Sequence, residues 1–221
     1  MLEVVRLLSG PLFETIAMVI ASTIIALVAC GMVGIGLFIM SNQSLSGHSP
    51  LLRYARNAAD RIINVLRSFP FIILMVVVLP LSRLLVGTSI GTIAAIVPLS
   101  VAASPFIARI VESSLSEIDN GIIDAALACG AHKGRILFAI LIPEALPALV
   151  SGLTLTMISL VGYSAMAGVI GGGGLGDLAI RYGYQRFRTD IMVAAVSTII
   201  VLVEGLQALG TTIVKKLKGS R

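Results

Sequence analysis

Few residues of this 221-residue chain have the types and spacing that enzymatic chemistry requires. The two histidines, His48 and His132, are far apart in the sequence. The two cysteines, Cys30 and Cys129, lie in no CxxC or Cys/His pattern of the kind that holds a metal. A catalytic site needs a nucleophile, a base or a metal set that converges, so we predict no catalytic residues and no metal site.

Two glycine-containing patterns are typical of nucleotide-binding sites, G-x-G-x-x-G and the Walker A sequence. The run Gly171–Gly176 contains G-x-G-x-x-G, with Asp190 downstream, but it follows a long apolar run instead of a short strand. We interpret it as a flexible or tightly turned exit from that apolar run. No Walker A sequence occurs, so we expect no ATP site and no cofactor on this chain.

The composition indicates an integral membrane protein. Hydrophobic residues make up 57% of the chain and charged residues 12%, and the mean hydropathy is +1.04. Helices in a membrane can turn apolar faces to lipid, whereas a soluble domain needs a polar surface. The net charge of +5 comes from basic residues that lie between and after apolar runs, without interleaved aromatics, which argues against nucleic-acid binding.

Five apolar segments are long enough to cross a bilayer, which takes about 20 residues. We therefore predict an all-α polytopic membrane protein with a single transmembrane domain, residues 1–221. The first segment is longer than the apolar part of a signal peptide, so we expect it to stay in the mature protein. The predicted spans are residues 16–40, 62–81, 84–108, 145–170 and 191–214.

The distribution of Lys and Arg predicts the orientation, because these residues accumulate on the cytoplasmic side. Ten of them fall inside if the C-terminus is cytoplasmic, five fall outside, and Arg67 is ambiguous. The N-terminus is then outside. The inner set is Arg53, Arg56, Arg61, Arg109, Lys133, Arg135, Lys215, Lys216, Lys218 and Arg221, and the Lys215–Lys218 segment would also anchor the last span to lipid headgroups.

The inner loop between spans three and four, about residues 109–144, is expected to be structured. Asp124 would begin a short helix, where a carboxylate interacts with free amides. Ala125 and Ala126 have small side chains, so one face of this short helix would be narrow. Gly130 permits the left-handed turn that commonly ends a helix, and Pro143 should prevent the following helix from continuing simply through that point. The pattern alone also fits an ordinary helical hairpin.

The loop resembles the coupling motif of ABC importer permeases, which reads E-A-A, three residues, G, nine residues, I-x-L-P. The departures are Asp124 for Glu and Ile142 for Leu. Further stretches, residues 67–74, 86–91, 103–109 and 160–168, are similar to the methionine importer permeases of that family. The resemblance assigns ATPase coupling to Asp124, Ala125, Ala126, Gly130, Ile140, Ile142 and Pro143.

The resemblance implies a permease subunit of a bacterial inner-membrane importer for methionine, as the L-isomer and also the D-isomer. It further implies pairing with a second copy, two cytoplasmic ATP-binding subunits, and an extracytoplasmic binding protein or lipoprotein. The ATPase subunits would hydrolyse ATP, so the permease itself is not an enzyme. The passage would run along the dimer axis and close and open by alternating access.

A passage for methionine should mix apolar walls with a few polar groups. The candidates are residues of the family-like stretches in spans two and four: Ser68, Tyr163, Ser164 and Met166. Each also has a plain structural interpretation, because Met and Tyr commonly pack and a Ser hydroxyl can bond to its own helix.

Arg67 and Glu204 are ionisable groups in apolar segments, a pattern that is typical of functional sites in membranes. We expect structural roles instead, since Arg67 can reach the headgroup region and Glu204 can face a second copy or a polar neighbour.

Three alternatives stay open. An ABC permease for another amino acid or a small amine fits the same motifs. An ion-coupled secondary transporter would need midplane carboxylates or paired broken helices, and an intramembrane enzyme would need a convergent catalytic set.

Overall fold

The computed structural model describes residues 2–47 and 50–219, and no strand occurs in these residues. The predicted all-α class is confirmed, while His48 and Arg221 lie outside the described residues. The α-helices are α1 (Leu2–Ser41), α2 (Gln43–Ser46), α3 (Pro50–Ser68), α4 (Phe71–Val86), α5 (Thr92–Ser116), α6 (Asn120–Ala128), α7 (Lys133–Ile136), α8 (Ile142–Val169), α9 (Gly174–Leu178) and α10 (Thr189–Gly219), with π-helical turns at Leu137–Leu141 and Ala179–Tyr184.

Four helices of the described part are long and apolar enough to cross a membrane. They are Leu7–Ser41, Thr92–Ser116, Lys133–Val169 and Thr189–Gly219. The helices Leu51–Ser68 and Phe71–Val86 pass the same test together but are bent by more than 40° at their break, so the number of spans is five if this pair counts as one. Large apolar side chains are exposed on the spans, among them Val28 at 74% and Leu84 at 81%, which suits contact with lipid.

The boundaries predicted for spans two and three were wrong. The prediction put one continuous helix over residues 62–81, but α3 ends at Ser68 and α4 begins at Phe71. Pro70 explains the break, since it has no N–H and disfavours a helical residue before it. The prediction also began span three at residue 84, but α4 runs to Val86 and ends at Gly87, whose φ of 84° is left-handed. Hydropathy does not locate such breaks, because it averages over a window of residues and does not measure backbone geometry.

Pro143 lies where the α-helix is interrupted, as expected, but the interruption is a wider turn and not a stop. Residues from Lys133 to Val169 form one candidate span that passes through the π-helical turn Leu137–Leu141. There the N–H of Ile142 bonds to the carbonyl of Leu137, five residues back. This wider turn directly precedes the proline, gives its ring room, and removes the need for the hydrogen bond that proline cannot make.

The chain divides into two compact units, and the first consists of Met1–Ala26, Phe69–Ala103 and Thr154–Leu209. One of its buried clusters joins α9 and the following turn to α10 through Leu178, Ala179, Ile191 and Ala195. Helices α8 and α9 approach each other very closely in this unit. A Cβ added at Gly168 would lie 2.2 Å from the backbone nitrogen of Asp177, so only glycine fits there.

The glycine run after α8 is a tight turn held by α1, all within the first unit. Gly173 and Gly174 have positive φ values of 76° and 80°. The Glu14 carboxylate accepts the N–H of Gly174 at 2.7 Å, and the Thr15 hydroxyl accepts the N–H of Leu175 at 2.9 Å. Of the two interpretations of this run, the tightly turned one is therefore what the fold contains.

The second unit consists of Leu27–Ser68, Ser104–Leu153 and Gly210–Arg221. A buried cluster of Leu37, Ile63 and Ala108 joins α1, α3 and α5. Ion pairs join α3 to α5 beside it. Glu112, whose side chain is 8% exposed, lies between two guanidinium groups; the pairs are Arg56–Glu112 at 3.4 Å, Arg109–Glu112, and Arg109–Asp60 at 2.8 Å.

Candidate functional site

The predicted loop helix exists as α6, in the second unit, and it begins with a capped turn. Asp119 is the N-cap, and its carboxylate accepts the N–H of Gly121 at 2.8 Å. The prediction that Asp124 would serve the start of the helix was wrong. Asp124 lies in the middle of α6, one turn later, because the helix starts at Asn120. A carboxylate caps a helix only from the position before its first turn.

The C-terminal end of α6 confirms the prediction that Gly130 makes a left-handed turn. Its φ is 77°, and its N–H bonds to the carbonyl of Leu127 at 2.9 Å. The N–H of Ala131 bonds to the carbonyl of Ala126 at 3.0 Å. This pair of bonds forms the Schellman motif, in which glycine takes the left-handed position at no steric cost. The helix therefore ends at a defined residue, and the chain reverses at once into α7.

Side-chain hydrogen bonds from the segment after α1 hold α6 and α7 in place. All the partners belong to the second unit, and none of the donors or acceptors is on α5 or α8. The bonds are Ser44 Oγ to Asp124 Oδ1 at 2.8 Å, Asn42 Nδ2 to Asn120 Oδ1 at 2.8 Å, and Lys133 Nζ to the Leu45 carbonyl at 2.7 Å. A cavity of about 450 Å³ lies beside these residues, lined by Phe38, Ser41, Asn42, Ser44, Ser116, Asn120 and Asp124.

The two sides of α6 differ in burial. Ile123 is fully buried and fixes the helix to the body of the unit. Asp124 and Ala125 are exposed, and Ile122 is 40% exposed. The helix thus presents a surface of small and apolar side chains with one carboxylate, while its rotation about its own axis is fixed by one buried residue and by its two ends. Such a surface can enter a complementary groove with little loss of side-chain conformational entropy.

The remaining predicted coupling residues lie on the chain that leads back into the span. Ile140 is in the π-helical turn, and Ile142 and Pro143 are the first two residues of α8. Ile140 and Ile142 are partly buried and Pro143 is exposed. The motif therefore covers two structural parts: a capped helix, and the irregular turn that connects this helix to α8.

The predicted pathway residues do not form one cluster of free polar groups. Ser68 ends α3, in the second unit, and its hydroxyl bonds to the Asn64 carbonyl at 2.8 Å. In the first unit, Ser164 is buried and bonds to the Val161 carbonyl at 2.7 Å, and the ring of Tyr163 stacks on Phe71 with centroids 4.6 Å apart. Met166 is 45% exposed.

Arg67 is close to an aromatic ring. Its guanidinium lies 5.0 Å from the centre of the Phe106 ring, a cation–π contact within the second unit. A group of three His, Cys, Asp or Glu side chains placed to hold a metal does not occur among residues 2–47 and 50–219.

The residues that position α6 were not predicted from the sequence. Asp119-Asn120-Gly121 is a turn and helix-start pattern, so the N-cap at Asp119 was available from sequence. The tether from Ser44 was not, because it joins positions eighty residues apart.

The comparisons with known proteins agree on one family. A family model described as a binding-protein-dependent transport system inner membrane component matches residues 44–217. A Haemophilus influenzae protein named "Probable D-methionine transport system permease protein MetI" is 46% identical, over 93% of this chain and 94% of that protein. The "Methionine import system permease protein MetP" of Bacillus subtilis is 45% identical, over 69% of this chain and 68% of that protein.

A solved structure has the same fold. It is described as an inward-facing conformation of the MetNI methionine ABC transporter, with a TM-score of 0.90 and 42% identity, over 96% of this chain and 97% of that chain. The residues that the family model matches, 44–217, include α6 and all the coupling-motif positions. The chain therefore belongs to the family of binding-protein-dependent transport system inner membrane components.

Proposed function

We propose that this chain is the membrane-spanning permease subunit of an ATP-driven importer for methionine, taking the L-isomer and the D-isomer. The capped and tethered helix α6, with its exposed small-residue surface, carries the proposal. Relatives and a solved structure named for methionine transport support the choice of substrate.

In the proposed cycle α6 transmits force from a cytoplasmic ATPase. A coupling element must be stiff and must be fixed to the span that it moves. The Asp119 cap, the Gly130 turn and the Ser44–Asp124 hydrogen bond at 2.8 Å supply stiffness. A displacement at one end of a rigid helix moves the whole helix. The connection through Ile140, Ile142 and Pro143 would therefore carry the movement of α6 into α8.

The partners of the proposed complex are a second copy of this chain, two ATP-binding subunits, and an extracytoplasmic binding protein or lipoprotein. ATP and Mg²⁺ belong to the ATP-binding subunits. Few helices are available in one copy to enclose an amino acid, which favours a passage between two copies. The binding protein and ATP must both favour the outward-facing state, since a ligand shifts an equilibrium only through differential affinity.

The proposed location is the inner membrane of a bacterium, with the N-terminus outside and the C-terminus in the cytoplasm. This orientation puts α6, Lys133 and Arg135 on the side where an ATPase has access to ATP. It also puts the Lys215–Lys218 end of α10 against cytoplasmic headgroups. Helices α1, α5, α8 and α10 each contribute residues to both compact units, which supports a single transmembrane domain.

The experiment is ATP-dependent uptake of labelled methionine into proteoliposomes that contain this chain, its ATPase and its binding protein. The test variant is Gly130→Asp, which puts a side chain at a left-handed position with open space around it. The matched control is Gly87→Asp. Gly87 ends α4 with a φ of 84°, and a Cβ there also meets nothing within 4 Å.

We expect Gly130→Asp to abolish uptake while the amount of chain in the membrane persists, and Gly87→Asp to retain uptake per assembled complex. Wild-type uptake of a different amino acid, and none of methionine, would remove methionine from the proposal. Uptake by Gly130→Asp at the wild-type rate would contradict the assignment of α6 as the coupling element.

A further inference from the structure

The exposed face of α10 carries two polar side chains in the first unit. There the helix packs through a line that includes Ile191, Ala195 and Leu206, of which the first two are fully buried. Ser197 and Glu204 are exposed and lie seven residues apart. Seven residues make about two helical turns, so these two side chains share one face, opposite the packed line, about 10 Å apart along the helix.

Glu204 occupies the midpoint of α10. It lies fifteen residues from each end of α10, and only 11% of the most apolar stretch of the helix is buried in this chain. No hydrogen bond or ion pair joins its carboxylate to another residue in the described ranges 2–47 and 50–219. A carboxylate at the centre of a span is costly against hydrocarbon and is normally turned to water or to a partner. The face around Glu204 is therefore not a lipid face.

A contact with a second copy does not by itself satisfy Glu204. Two-fold symmetry places the same surface of both copies around the axis, so a close contact there would bring two carboxylates together. The residues one turn from Glu204 on the exposed side include Ile200 and Val201, which are 57% and 71% exposed, and Ala208; a Cβ added at Gly205 meets nothing within 4 Å. A carboxylate with room beside it, among exposed apolar side chains, suits a water-accessible passage for a substrate that carries both a cationic group and an apolar side chain.

We propose that Ser197 and Glu204 line the substrate passage and that the Glu204 carboxylate binds the α-ammonium group of the amino acid as it crosses. The inference rests on the proposed function, from which it takes the substrate class. A charge-assisted hydrogen bond from the ammonium group to Glu204 offsets the loss of water from both ions. Both isomers of an amino acid carry this ammonium group, so Glu204 holds either of them without selecting one.

Water access to α10 is the first test, by labelling single cysteines in a background in which Cys30 and Cys129 are serine. The test variants are Glu204→Cys and Ser197→Cys. The control is Leu209→Cys, which is 63% exposed but lies about 140° around the helix from Glu204, in a groove with apolar walls. The assembled importer in proteoliposomes is treated with a charged methanethiosulfonate reagent, with and without methionine and the binding protein.

We expect both test cysteines to react at least about tenfold faster than the control cysteine, and methionine to slow the labelling at position 204. Reaction of Glu204→Cys and Ser197→Cys as slowly as Leu209→Cys would overturn the inference, because it would mean that the face meets lipid or a dry contact.

Uptake of methionine by Glu204→Gln and Glu204→Asp is the second test. Gln keeps the size of the side chain and removes its charge, so uptake per complex should fall about tenfold or more, whereas Asp should keep a larger share. ATP hydrolysis and copurification of the subunits show that each variant is assembled. If Glu204→Gln fails to assemble, uptake by Glu204→Asp and labelling of Ser197→Cys test the inference instead.

The outcomes separate the two proposals. A wild-type complex that takes up no methionine contradicts the proposed function and leaves the labelling result to decide whether the face meets water. Wild-type uptake together with equal uptake by Glu204→Gln overturns the role of the carboxylate.

Discussion

Gly168→Ala should destabilise the chain strongly, because the α8–α9 contact in the first unit leaves no space for a methyl group. The new Cβ would lie 2.2 Å from the nitrogen of Asp177 and 2.7 Å from the carbonyl carbon of Gly176. Both are backbone atoms, so no side-chain rotation relieves the overlap. An ordinary contact begins at 3.4 Å, and α9 would have to move by about 1.2 Å to reach it.

That displacement also weakens the hydrogen bonds that hold the turn before α9. The bonds are Gly174 N–H to Glu14 at 2.7 Å and Leu175 N–H to Thr15 at 2.9 Å. Overpacking costs about 1–3 kcal/mol, and the two hydrogen bonds, one of them to a carboxylate, contribute about 2–3 kcal/mol. Alanine recovers about 1 kcal/mol of helix propensity. The expected net loss is about 3 kcal/mol, or about 6–12 °C in Tm for a chain of this size.

Thermal unfolding of the purified chain in detergent, followed by far-UV circular dichroism and by loss of monodispersity, measures this effect. Gly162→Ala is the control on the same helix, since a Cβ at Gly162 meets nothing within 4 Å. Its Tm should stay equal or rise by a few degrees, through the same propensity term. Equal Tm values for the two variants would refute the reasoning, since they would show that α9 is free to move away from α8.

Two further predictions concern the second unit. Asp119→Ala should reduce the local stability of α6 by about 1 kcal/mol, because the N–H of Gly121 loses its acceptor. Hydrogen exchange of the α6 amides measures this; Glu117→Ala, an exposed carboxylate outside the cap, should leave exchange unchanged, and equal protection in the two variants would contradict the cap. Glu112→Gln should lower stability by about 2 kcal/mol, because it leaves the Arg56 and Arg109 guanidinium groups with only Asp60 as a shared carboxylate. The matched control is Glu117→Gln, at an exposed position. The Tm of both variants is measured in detergent, and equal Tm values would show that the ion pairs add no stability.

The sequence predicted the number and class of the spans better than their ends. Apolar runs locate α1, α5, α8 and α10 because burial in lipid demands such runs over about 20 residues. The break at Phe69 and Pro70 and the end of α4 at Gly87 depend on backbone geometry, which hydropathy does not measure. Pro143 shows the reverse case, since its local preference for a stop is overcome by the π-helical turn before it.

In the candidate site, too, the local features were predictable from the sequence and the long-range contacts were not. The spacing of Ala125, Ala126 and Gly130 predicted a short helix with a left-handed end, because a Schellman turn is encoded locally by one glycine. The role of Asp124 could not be read in this way. Its hydrogen bond to Ser44 joins positions that only the folded chain brings together.

Composition, the length of apolar runs and local turn chemistry act over short stretches, so an all-α chain with several membrane spans and a short helix in the loop before α8 could be predicted without a structure. The residues that hold α6, the glycines that let α8 and α9 meet, and the exposed side of α10 could be identified only in the folded chain. These features depend on distances between atoms far apart in the sequence, and packing fixes those distances through the whole unit at once.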